Sequence, residues 1–147
     1  MKHLIISLSA FAGLTMTASA QSFESAREFM QGYTDTWNEH DTASLAENYW
    51  AMRPTVEEEK AGLDATFARL KEQGYEKSTI HQIEICFTGP TTAWSGLKFT
   101  RNKTDGTPLG PDPQATNYSL EWQPDIAEWR VKGITGQPGE DPLVCPE

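Results

Sequence analysis

Of 147 residues only two are cysteine and three histidine, and acidic residues outnumber basic ones 21 to 12. Each shortage excludes something. His40 and His81 lack the spacing of ligands to one metal ion, so no metal site is expected, and no sequence signature points to a cofactor. The formal charge of −9 has no basic stripe set against it. An acidic surface repels phosphate backbones and anionic headgroups, which argues against nucleic acid as a partner. Neither a glycine-rich phosphate loop nor a nucleophile elbow occurs. No apolar run is long enough to cross a hydrocarbon core of roughly 30 Å, so no membrane span is expected. No repeat or low-complexity segment divides the chain, and its length suits one domain.

What is present begins with a leader. Lys2 precedes a short apolar run from Leu4 to Met16, and Ala18-Ser19-Ala20 supplies small residues at a cleavage position. These features predict a signal peptide over residues 1–20, cut after Ala20, and an exported protein in the periplasm or secreted space. The mature chain then starts at Gln21, and loss of Lys2 takes its formal charge from −9 to −10. In such an oxidising compartment Cys86 and Cys145 are expected to pair. Closing a loop of roughly 60 residues gives about 4 kcal/mol of stabilisation by chain entropy and ties down a Pro/Gly-rich tail over residues 136–147. The alternative is a buried free Cys86 and a loose tail. The domain itself is expected over residues 21–135.

Periodicity divides that domain in two. Phe29, Tyr33 and Trp37 recur every four residues between Glu24 and Asn38, with Ala26 and Met30 beside them, and predict a helix. Asp41 is placed to cap a second, short helix reaching Tyr49 or Trp50. After Arg53-Pro54, Thr55 and Glu58 form a capping-box pattern for a third helix whose buried stripe is Val56, Leu63, Phe67 and Leu70, with Gly74 as its stop. From Ser78 the period becomes two. Ile83, Ile85 and Phe87 share one face of a first strand. Thr91 to Lys103 is a second strand carrying Trp94, Leu97 and Phe99, and Asn102 to Gln114 is a proline-stiffened loop. Ala115 to Gln123 is a third strand with Tyr118, Leu120 and Trp122, and Ala127 to Ile134 a fourth with Trp129 and Val131. Three N-terminal helices followed by a four-stranded antiparallel meander predict an α+β layer fold.

This order resembles the nuclear-transport-factor-2-like superfamily, which includes ketosteroid isomerase and the SnoaL-like polyketide cyclases. Tyr33-x-x-x-Trp37-Asn38-x-His40-Asp41-x-x-x-Leu45 is similar to the helix-turn-helix entry of those domains, and Glu128-Trp129-Arg130-Val131 to their last strand. The resemblance runs from Phe23 to Thr135. It implies a cone in which a curved sheet wraps the helices around an apolar pocket, and a homodimer formed through the sheet. The strand or hairpin that usually follows the second helix has only Trp50 to Pro54 available here, which implies a shallower pocket.

The resemblance also supplies a catalytic candidate. Tyr33 lies five residues before Asn38, the register of the tyrosine that stabilises the oxyanion in ketosteroid isomerase. The carboxylates of that enzyme are not reproduced: Glu57 belongs to the first turn of the third helix, Thr91 to Arg101 offers no acid, and Glu84 and Glu121 alternate away from the apolar residues. His81 shares strand parity with Ile83, Ile85 and Phe87, so it is the candidate base, as in dehydratase relatives. His40 is read as a turn residue. Trp37, Trp94, Tyr118 and Trp122 are the candidate lining of a ligand pocket. Three functions follow: a pocket for a small apolar molecule or a partner chain; an isomerase, dehydratase or cyclase using Tyr33 and His81; or a dimeric interaction module whose cavity its own side chains fill. An open cavity with Tyr33 and His81 converging in it favours chemistry, an open cavity without them binding, and a filled one assembly.

Overall fold

The computed structural model describes residues 21–147. The signal peptide expected over residues 1–20 lies outside them. Helix α1 (Phe23–Asn38) begins one residue earlier than its apolar stripe predicts, because Ser22 and Ser25 form a reciprocal capping box at its start. Ala26, Met30 and Tyr33 face the core, with Phe29 and Trp37 packed against its margin. The Asn38 side chain acts as a strand-like clamp: its amide donates to Ser78 O at 2.9 Å and its oxygen accepts from Ser78 N at 2.8 Å. The chain then turns sharply through His40, whose φ of 58° lies in the left-handed region. Asp41 caps the short α2 (Thr42–Ser44), which widens into a π-helical turn over Leu45–Tyr49.

The connection after α2 joins the sheet. Trp50 pairs in parallel with Val131, and Ala51 N donates to Val131 O at 2.9 Å. Helix α3 (Val56–Glu72) follows, capped by Thr55. Its buried stripe differs from the one periodicity predicts. Val56 is 49% exposed, and Glu59 is buried at 1% beside Leu63, Phe67 and Leu70. The backbone explains the exchange. Glu59 Oε2 accepts from Met52 N at 2.8 Å and Arg53 N at 2.7 Å, amides that the tight connection leaves without another acceptor. Only the forward half of the Thr55–Glu58 capping pattern is formed, Glu58 N donating to Thr55 Oγ1 at 3.2 Å.

Gly74, at φ +86°, ends α3 and starts the sheet at once. Strands β1 (Tyr75–Phe87), β2 (Thr92–Lys103), β3 (Gln114–Gln123) and β4 (Glu128–Gln137) pair in the order β1-β2-β3-β4, all antiparallel. The first strand begins three residues before the predicted Ser78, and the fourth runs past Ile134 to Gln137. β1 carries register shifts between Tyr75 and Lys77 and between Ile80 and Gln82, and β4 has one extra residue, Lys132, opposite Ser119 and Leu120. Such bulges bend and twist a sheet. The helices occupy the concave side, and the core joins Met30, Leu45, Leu63, Leu97, Leu120, Trp129 and Val131.

The tail crosses the opposite face. Cys86 and Cys145 form a disulfide with Cα atoms 6.0 Å apart. That bond is compatible with an oxidising, exported location. Leu143 and the Trp94 ring lie so close over Gly96 that a Cβ there would fall 3.1 Å from one and 2.5 Å from the other. Among the described residues no helix is long and apolar enough to cross a membrane.

Candidate functional site

Between the concave face and the C-terminal half of α1 lies a cavity of about 200 Å³. Tyr33, Thr34 and Trp37 reach it from α1, Trp50 from the connection after α2, and Thr66 from α3. The sheet contributes Ser78 and Ile80 of β1, Leu97, Phe99 and Arg101 of β2, Thr116 and Tyr118 of β3, and Ile134 of β4. Strand alternation fixes the β2 set, since 97, 99 and 101 share one face. The extra residue Lys132 in β4 keeps Ile134 turned inward although Val131 is inward too.

The walls are mainly aromatic. Trp37 stacks on Trp50 with ring centroids 6.1 Å apart and meets Phe67 at 4.6 Å; its indole N–H donates to Tyr75 Oη at 3.0 Å. Tyr33 meets Tyr118 edge-on at 5.4 Å, and their hydroxyls are 3.5 Å apart. Burial pushes the Tyr33 phenol well above its ordinary pKa, and the neighbouring Tyr118 adds to the shift while Trp50 and Arg101 oppose it. Tyr118 is also raised by burial, with Tyr33, Arg101 and Thr116 opposing. Both phenols are therefore neutral hydrogen-bond donors at neutral pH.

Several polar groups on the wall are already engaged. Thr34 Oγ1 donates to Gln31 O at 2.8 Å, Thr66 Oγ1 to Gly62 O at 3.0 Å, and Ser78 Oγ lies 2.9 Å from Tyr75 Oη. Two donors are not. Trp50 Nε1 and Arg101 Nε are buried and close no hydrogen bond. No carboxylate and no imidazole lines the cavity.

The expected site residues divide accordingly. Tyr33, Trp37 and Tyr118 meet in the cavity. His81 does not join them. It occupies the bulge between Ile80 and Gln82, where strand parity reverses, so Ile80 points inward on one side of it and Ile83 and Ile85 on the other. His81 is exposed, and its Nε2 lies 2.7 Å from Thr100 Oγ1 on the face opposite Phe99 and Arg101, where Thr100 in turn donates to Asp112. Trp94 is also on that opposite face, being one residue out of step with Ala93, Leu97 and Phe99. Trp122 sits further along β3 in a separate hollow with Phe29, Tyr49 and Trp129, its ring 5.4 Å from that of Trp129. Glu57 is exposed in the first turn of α3, and His40 braces the turn: its Nε2 lies 2.6 Å from Glu76 O and its ring is 5.5 Å from that of Tyr75. Trp50, Ile80, Arg101 and Ile134 complete the cavity and were not singled out by sequence. Arg101 carried a signal nonetheless, a cation in step with Leu97 and Phe99 on an inward-facing strand.

Comparison with solved structures identifies the fold. Aln2 from a Streptomyces species superposes with a TM-score of 0.59 at 14% identity, over 81% of this chain and 93% of that one. A nuclear-transport-factor-2-like protein with a cystatin-like fold from Novosphingobium aromaticivorans gives 0.55 at 18% identity, over 77% and 79%. A protein from Catenulispora acidiphila, solved in complex with S-DNPA, gives 0.54 at 11% identity, over 78% and 90%. The chain has the nuclear-transport-factor-2-like fold. No family model and no curated protein matches its sequence.

Proposed function

We propose that this is an exported pocket protein, cut after Ala20, that binds a small, largely apolar molecule in the cavity between α1 and the sheet. The observation that carries the reading is the character of the cavity wall: aromatic side chains and hydrogen-bond donors, with no group able to abstract a proton. Tyr33 and Tyr118 then orient the ligand by donating hydrogen bonds to it. The Catenulispora acidiphila protein of the same fold holds S-DNPA. The acid-base alternative required Tyr33 and His81 in one cavity, and they face different sides of the sheet. A second copy docking on the outer sheet face, part of which the tail covers, belongs to the same reading, and sedimentation as a monomer at high concentration removes that part.

An empty apolar cavity near 150 Å³ takes up benzene, so toluene is a suitable neutral probe. The expected result is a saturable change in tryptophan fluorescence through Trp37 and Trp50, with a rise in unfolding temperature. Ile134→Trp, which places an indole at the cavity wall, should abolish both. Absence of any saturable response in the unsubstituted protein defeats the proposal.

A further inference from the structure

Given the binding reading above, one side chain of the cavity bears on the charge of the ligand. Arg101 extends from β2 into the cavity wall. Its guanidinium lies over the Phe99 ring, 5.6 Å from the centroid, and forms no ion pair among the described residues. Its Nε is buried without an acceptor. A buried donor left unmade costs free energy unless something occupies the position opposite it. Trp50 Nε1, on the same wall and directed at the Tyr33 hydroxyl, closes no well-formed bond, and it too can only donate. Of the remaining hydroxyls, those of Tyr33 and Tyr118 stand 3.5 Å apart, too long to satisfy one another well. The two orphaned nitrogens can only donate, no carboxylate lines the cavity, and one of the two belongs to a permanently charged group. In a protein whose acidic residues outnumber its basic ones 21 to 12, an arginine without a carboxylate partner has no shortage of candidates elsewhere on the chain.

Size narrows the occupant further. A benzene ring takes a cavity of about 150 Å³, and about 200 Å³ is present. That volume suits one ring with one small substituent held within the walls. Tyr33, Trp37, Trp50, Phe99 and Tyr118 surround that volume with ring faces and edges.

We infer that the cavity binds a single-ring carboxylic acid as its anion, the ring held among the aromatic walls and the carboxylate by the Arg101 guanidinium. The planar fork of an arginine matches a carboxylate with two parallel hydrogen bonds, which a lysine cannot reproduce.

Benzoate, its uncharged isostere benzamide and toluene separate the outcomes by calorimetric titration of the full mature protein. Benzoate should bind about 10- to 100-fold more tightly than benzamide, as a charge-assisted hydrogen bond in a sheltered site implies. Arg101→Met should erase that preference, bringing benzoate and benzamide to within about twofold of each other, and Arg101→Lys should restore only part of it. Equal affinities for benzoate and benzamide in the unsubstituted protein overturn the inference without any variant, and toluene binding in that case leaves the cavity reading standing. Failure of all three probes to bind overturns both. Acetate should bind at least tenfold more weakly than benzoate; parity between them shows that the ring contributes nothing and also refutes the assignment.

Discussion

Removing the disulfide tests the least conventional part of this fold, the tail strapped over the outer sheet face. The bond joins residues 59 apart in sequence. Chain-entropy arithmetic for such a loop gives an unfolded-state restriction of about 14 cal/mol/K, or about 4 kcal/mol at room temperature. For a domain of roughly 125 residues the unfolding entropy is about 0.26 kcal/mol/K, so Cys145→Ser should lower the melting temperature by about 15 °C. A second effect is local. Trp94 is buried under Leu143, and release of the tail uncovers it, so acrylamide quenching of tryptophan emission should rise well below the melting transition. Thiol titration of the denatured, unreduced parent should find no reactive thiol, and of the variant one. A parent with two reactive thiols, or a variant with the parent's melting temperature and quenching, refutes the argument. In the second case the tail would be held by packing alone, or the unfolded chain would already be compact.

Other expectations follow from individual residues. Glu59→Leu leaves the Met52 and Arg53 amides without their acceptor and should cost about 2–4 kcal/mol in denaturant unfolding, whereas Glu57→Ala, at an exposed position, should change stability by less than about 0.5 kcal/mol. Asn38→Ala breaks both bonds to the Ser78 backbone and should cost about 1–3 kcal/mol, read in the same assay. The raised phenols give a pH dependence of known sign. Tyr33, Tyr118 and Tyr75 bind their protons more tightly folded than unfolded, so their stabilisation is complete below the free phenol pKa of about 10 and declines as pH rises from there toward the folded values. Denaturant midpoints should therefore fall above about pH 10, and Tyr33→Phe/Tyr118→Phe should flatten that fall; an alkaline titration at 295 nm in which all four tyrosines ionise together before unfolding contradicts it.

Which side of the sheet a residue faces was only partly legible. The alternation of Ile83, Ile85 and Phe87 predicts an inward face correctly for Ile83 and Ile85, and Phe87 lies at the rim against Trp129. Extending the count to His81 fails because the bulge at that residue resets it. A bulge has no composition signal of its own; it follows from how two strands of unequal path fit a curved sheet. Trp94 illustrates a different limit. It was expected in the pocket, yet its parity separates it from Leu97 and Phe99, and what covers it is the tail brought back by Cys145, which the strand alone does not reveal. The Glu59 carboxylate is a third case, buried because a five-residue connection left two amides without partners, which periodicity does not register.

The sequence by itself determined the element order, the caps that start the second and third helices, the antiparallel meander and the pairing of its only two cysteines. These depend on contacts within a few residues or, for the cysteines, on there being no other choice. Tertiary structure alone decided the cavity: which aromatics converge, that Arg101 lies among them without an acid, and that His81 does not. A cavity is the space several elements leave when they pack, and its shape depends on bulges and crossings that sum over the whole chain, so no single segment encodes it.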